Sequence, residues 1–93
     1  MSAQHQDIEP KFRIDTKPAL QALFNELGDS YREVGRILGV SHTHLWHALK
    51  GDRKSISVNL LARYASEAYN RAGVKMTLLI ECDGKLKWKI ERT

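Results

Sequence analysis

The stretch YREVGRILGVSHTHLWHALKG, residues 31–51, holds two apolar patterns of helical period on either side of Gly39-Val40-Ser41, and three of the chain's four histidines lie in its second half. In the first half Val34, Ile37 and Leu38 share one face, while Arg32, Glu33 and Arg36 turn to water. Asp29-Ser30 offers an N-cap, and Gly39 ends the pattern after barely two turns. Ser41 caps the second half, which runs until Gly51. At roughly 100° per residue, Leu45, Ala48 and Leu49 fall in one apolar sector. Thr43, His47 and Lys50 point the opposite way, with Trp46 beside them and His42 at the N-terminal edge. The spacing predicts two short helices joined by a tight turn, the second with a polar and aromatic outer face. This is the layout in which a recognition helix enters the major groove of DNA. Trp46 stands one helical step from the apolar sector, so a core position is its alternative.

Outward from this pair the chain stays helical before it changes period. Thr16 predicts the cap of a helix whose first turn tolerates Pro18 and whose stripe is Leu20, Leu23, Phe24 and Leu27, ended by Gly28. After the GDRK loop, Ser55 or Ser57 caps a longer helix with Val58, Leu61, Ala62, Ala65, Ala68, Tyr69 and Ala72 on one stripe, stopped by Gly73. Residues 11–15 alternate and predict a short strand, and residues 1–10 have little to bury and predict a flexible arm.

From Val74 on, apolar residues alternate with polar ones, which predicts two strands around Asp83-Gly84. A two-residue turn would pair Cys82 with Lys85 and put Ile80 opposite Lys87, mixing the two faces. A three-residue loop, residues 82–84 with Gly84 left-handed, pairs Glu81 with Lys85 instead. Ile80 then faces Leu86, Leu78 faces Trp88 and Met76 faces Ile90. Parity favours this register, with Cys82 and Trp88 as hairpin core and a row of Lys85, Lys87 and Lys89 in solvent. A two-stranded sheet is marginal alone, so the hairpin needs cover from the helices, the strand at 11–15, or a second copy.

With 93 residues the chain is too short for two cores, so one domain is expected. A net charge of +4 suits a polyanionic partner without requiring one. The single cysteine leaves no internal disulfide and fits a reducing compartment. No apolar run approaches a membrane span and the N-terminus lacks the pattern of a signal peptide, so the cytoplasm is the expected location and no membrane partner is expected.

Residues 31–51 resemble the helix-turn-helix of the Cro/repressor (XRE) family. The resemblance rests on the small Gly35 where that family usually has alanine, the turn glycine Gly39, apolar Val34, Leu38, Val40 and Leu45, and the closing Gly51. It extends more loosely over residues 17–72 and implies a four- or five-helix DNA-binding domain. By this resemblance His42, Thr43 and His47 match base-contacting positions, and Trp46 lies on the same face. Imidazole N–H groups can donate to guanine, and Thr43 can add a hydroxyl bond or a methyl contact. Expected phosphate contacts are Ser30 and Tyr31 at a helix N-terminus and Lys50, Arg53 and Lys54 at the following loop.

Other chemistries fit less well. His42 and His44 diverge by roughly 200° around a helix, and no nearby Cys, Asp or Glu completes a ligand set, so no metal or cofactor is expected. No phosphate loop or paired carboxylate suggests an enzyme, and Ser41 reads as a cap rather than a nucleophile. A protein-interaction module built on Trp46, Tyr64 and Trp88 is a rival, as is an antitoxin that represses its own operon and grips a toxin. The resulting expectation is a mainly α domain: an arm at 1–15, a helix-turn-helix bundle at 16–73 with its motif at 30–51, and a β-hairpin at 74–93. It would act as a phage or bacterial repressor binding a palindromic operator in double-stranded DNA. One recognition helix buries little surface, so a homodimer is expected, with the hairpin as candidate interface through Leu78, Ile80, Leu86 and Trp88 or through strand-to-strand pairing, and the helices as the alternative.

Overall fold

A computed structural model describes residues 14–51 and 55–93. It contains helices α1 (Lys17–Leu27), α2 (Tyr31–Leu38), α3 (His42–Lys50) and α4 (Val58–Ala72), followed by strands β1 (Val74–Ile80) and β2 (Leu86–Arg92). The chain is therefore mainly α, with one antiparallel hairpin. The expected strand at 11–15 and the arm before it lie mostly outside the described residues, and Ile14 and Asp15 carry no strand.

Helices as short as α2 and α3 are marginal in water by themselves, so their ends and their packing hold them. Ser30 Oγ accepts from the Glu33 N–H at 3.4 Å, Ser41 Oγ from His44 N–H at 3.1 Å, and Ser57 Oγ from Leu60 N–H at 3.0 Å. Each hydroxyl satisfies one amide that the helix leaves without a partner. Gly39 is left-handed with φ 77°, and Val40 N–H reaches back to the Gly35 carbonyl at 2.9 Å, turning the chain sharply into α3. The Arg36 carbonyl, orphaned at the same end, accepts from Arg71 Nη1 at 3.0 Å, and Glu67 holds that guanidinium at 2.8 Å.

Thr16 does not cap α1. Its backbone is already helical, and its fully buried hydroxyl donates to the Ile56 carbonyl at 2.7 Å, tying the start of α1 to the segment before α4. Asp15 takes over the local role: its carboxylate accepts from Lys17 N–H at 3.1 Å and from Ser55 Oγ at 2.8 Å.

Leu20, Leu23, Val34, Leu45, Leu61 and Val74 are fully buried, so every helix and β1 contribute to one core. The stripe of α4 differs from its sequence reading. Tyr64 is buried in place of Tyr69, which is 52% exposed, and Ala62 is exposed. The reason is where the neighbours lie. Leu60 and Tyr64 lie on the flank of α4 that faces Leu38, Gly39 and Val40, while the narrow hairpin leaves a groove of about 480 Å³ along Ala62, Ser66 and Tyr69.

The hairpin has the three-residue loop and the register that parity favours. Met76 pairs with Ile90, Leu78 with Trp88 and Ile80 with Leu86, and the Glu81 N–H donates to the Lys85 carbonyl at 2.9 Å. Gly84 has φ 89°. β1 packs chiefly on α4 and β2 on α1, so the helices themselves supply the cover the sheet needs. Arg92 clamps the far end, with Nε 3.1 Å from the Glu26 carboxylate and a second bond to the Glu26 carbonyl. Cys82 is exposed in the loop rather than in the hairpin core, because the bulge swings it off the apolar face.

Candidate nucleic-acid interface

Burial of Leu45 and Ala48 fixes how α3 is rolled, and it leaves His42, Thr43, His44, Trp46 and Lys50 exposed. Trp46 is 45% exposed, which decides its two readings for the outer face. Its ring meets the His47 ring edge-on, with centroids 5.1 Å apart. His47 is half-buried and lies against Gly51, where even a Cβ would come within 3.2 Å of its Nδ1. Of the residues expected to read bases, His47 is thus the least free to reach outward.

Tertiary packing adds a wall that the helix alone does not supply. Tyr31, the first residue of α2, lies beside His42, Thr43 and Trp46, and the four line a shallow hollow of about 250 Å³ with largely apolar walls. The Tyr31 ring is fixed from behind by Phe24, with centroids 4.9 Å apart and planes tilted by 49°. Ser30 sits next to this hollow as the cap of α2, half-buried and already accepting from Glu33. The N-termini of α2 and α3 thereby flank one outer surface, each with backbone amides suited to an anion. Lys50 stands exposed at the other end of α3, and Arg53 and Lys54 lie outside the described residues.

His44 is exposed away from this hollow, and among the described residues no three His, Cys, Asp or Glu side chains gather as a metal-ligand set. The aromatic patch of Trp46, Tyr64 and Trp88 is not assembled, because Tyr64 is only 2% exposed. Burial pushes its phenol above the usual range, and the neighbouring Arg63 charge pulls it part of the way back.

On the hairpin, Leu78 and Leu86 are half-buried against the domain's own core. Ile80 and Trp88 remain 45% and 38% exposed, so these two carry most of the free apolar area of the expected dimer contact. Sequence reasoning missed Tyr31 as an aromatic wall and Tyr69 as a surface residue. Only the crossing of α2 over α3 and the width of the hairpin reveal them. Among the described residues no helix is long and apolar enough to cross a membrane. Comparison with protein-family models, with curated proteins and with solved structures finds no match to this chain.

Proposed function

We propose that the protein is a sequence-specific double-stranded DNA-binding regulator, with α2 and α3 forming a helix-turn-helix and α3 entering the major groove. The observation that carries this reading is the gathering of Tyr31, His42, Thr43 and Trp46 on one outer surface flanked by two helix N-termini. His42 and Thr43 supply donors at the height of the base edges, while free amides, Ser30 and Lys50 supply phosphate contacts. Base contacts set the sequence chosen and phosphate contacts set affinity and its dependence on salt.

Regulators of this size act in pairs, since one helix in one groove buries too little surface for tight discrimination. A homodimer through the exposed Ile80 and Trp88 would present two copies of α3 to a palindromic site, whose half-sites lie about 34 Å apart when one turn of duplex separates them. The likeness to Cro/repressor proteins favours a repressor of the phage or bacterial type. The interaction-module reading loses its support with the burial of Tyr64.

The test is selection from a randomised duplex library at two salt concentrations, with wild type beside the double variant His42→Ala/Thr43→Ala. A palindromic sequence enriched by wild type and lost in the variant is the expected result. Weak, salt-dependent retention without an enriched sequence, indifferent to the variant, would remove the reading.

A further inference from the structure

The hollow between α2 and α3 has a chemistry of its own. It is lined by Tyr31, His42, Thr43 and Trp46. Its exposed lining is mostly carbon, although His44 and Lys50, exposed elsewhere on α3, are polar. Phe24 holds Tyr31 in place from the core side and His47 meets Trp46 edge-on, so both aromatic walls are braced by neighbouring rings. A recess whose exposed lining is mostly carbon favours an apolar group as its occupant.

The major groove offers one apolar group among its base edges, the C5-methyl of thymine. Donors and acceptors make up the rest of the pattern, and the recess has few partners for them. We infer that the hollow formed by Tyr31, His42, Thr43 and Trp46 takes the C5-methyl group of a thymine, which makes Tyr31 and Trp46 specificity-determining residues. This rests on the DNA-binding reading and deepens it. Tyr31 changes role: an expected phosphate contact becomes a wall that selects a base. The recess reads a 5-methylpyrimidine as such, so 5-methylcytosine is equivalent to thymine as far as the methyl is concerned. His42, at the rim, then donates to the purine next to it.

The experiment uses the full chain and the duplex enriched by selection, with each thymine of a half-site replaced singly by deoxyuridine, which deletes the methyl and nothing else. One thymine is expected to matter, its replacement weakening binding by about four-fold, the size of one methyl taken out of water. Replacing that T·A pair by C·G should weaken binding, and 5-methylcytosine in place of the cytosine should recover about the same four-fold. The deoxyuridine effect should vanish in Trp46→Ala and shrink in Thr43→Ser, which removes only a methyl from the wall. Circular dichroism on both variants separates loss of the recess from loss of fold. Affinity unchanged by every deoxyuridine, or a deoxyuridine effect undiminished in both variants, would overturn the assignment while leaving DNA binding intact. Failure to enrich any sequence would remove the DNA-binding reading itself, and the recess assignment with it.

Discussion

Gly35 shows how much one hydrogen atom can decide. Glycine in a helix interior costs about 1 kcal/mol relative to alanine, which by itself argues for alanine. A Cβ at this position, however, would lie 2.7 Å from the Val40 carbonyl oxygen, a backbone atom with no freedom to retreat while Val40 N–H is bonded back to the Gly35 carbonyl. Overpacking of this kind costs about 1–3 kcal/mol, so strain outweighs the propensity gain. Gly35→Ala is expected to lower stability by about 1 kcal/mol, read as a reduced urea midpoint; a rise in midpoint would show that the turn yields freely. Tyr64 makes a second point at this scale. Its folded-state phenol lies above the ordinary value of 10.0, mainly because burial disfavours the phenolate. The folded chain then holds this proton more tightly than the unfolded chain, so the contribution is full below that value and is lost as pH rises through the folded one. Urea midpoints at about pH 8 and about pH 11 should fall further apart in wild type than in Tyr64→Phe. Equal falls would mean that the phenol ionises without cost to the fold.

Among the elements, α2 and α3 depend on their ends more than on their length. Removing an N-cap hydroxyl costs about 1 kcal/mol, and among the described residues Ser41 is the only side chain accepting from the first turn of α3. Ser41→Ala should therefore lower stability by about 1 kcal/mol, with Ser41→Asp restoring most of it through the same acceptor geometry. If alanine were neutral at this position, water would be satisfying the His44 amide equally well. On the α2 side of the same turn, Arg71 bonds the Arg36 carbonyl while lying largely in solvent beside Glu67. An exposed ion pair contributes about 0–1 kcal/mol, so this contact orients the turn more than it stabilises the fold. The hairpin is the opposite case, since its loop is fixed by local chemistry and its cover by distant elements. Parity of the alternating residues admits one register, and the left-handed Gly84 fits the loop that this register requires.

At the scale of the whole molecule, apolar area left over by the core points to association. Ile80 and Trp88 are exposed on the face of the sheet that otherwise packs on the helices, and no further element of the chain covers them among the described residues. Sedimentation equilibrium is expected to show a dimer, and Ile80→Glu or Trp88→Glu should raise its dissociation constant at least ten-fold, about 1.4 kcal/mol. Thermal stability of wild type should then depend on protein concentration, and that of the variants should not. A wild-type chain that stays monomeric at high concentration would exclude the hairpin contact. The proposed DNA binding belongs to the same scale because it calls for two copies acting together. Lys50→Ala should weaken binding to all sequences alike and reduce the salt slope by about one per protomer, whereas His42→Ala should alter which sequence is preferred. A Lys50 variant with altered preference and an unchanged slope would place that side chain on a base rather than on the backbone.

The sequence by itself determined the order of the four helices and two hairpin strands and most of their ends, the cap of α1 excepted. Periods of 3.6 and 2, the serines at 30, 41 and 57 and the glycines at 39, 73 and 84 act over a few residues, and short-range signals of this kind can be read without knowing what lies across the core. It also placed His42, Thr43 and Trp46 on one outward face, because helical geometry relates them directly. Tertiary structure alone decided which flank of α4 is buried, that Thr16 bonds to Ile56 forty residues away, why position 35 is glycine, and that Tyr31 stands against Trp46. Each of these depends on how two elements cross, and a crossing is set by the sum of contacts over the whole core. The face of α3 was therefore legible in the chain, and the hollow that Tyr31 completes beside it was not.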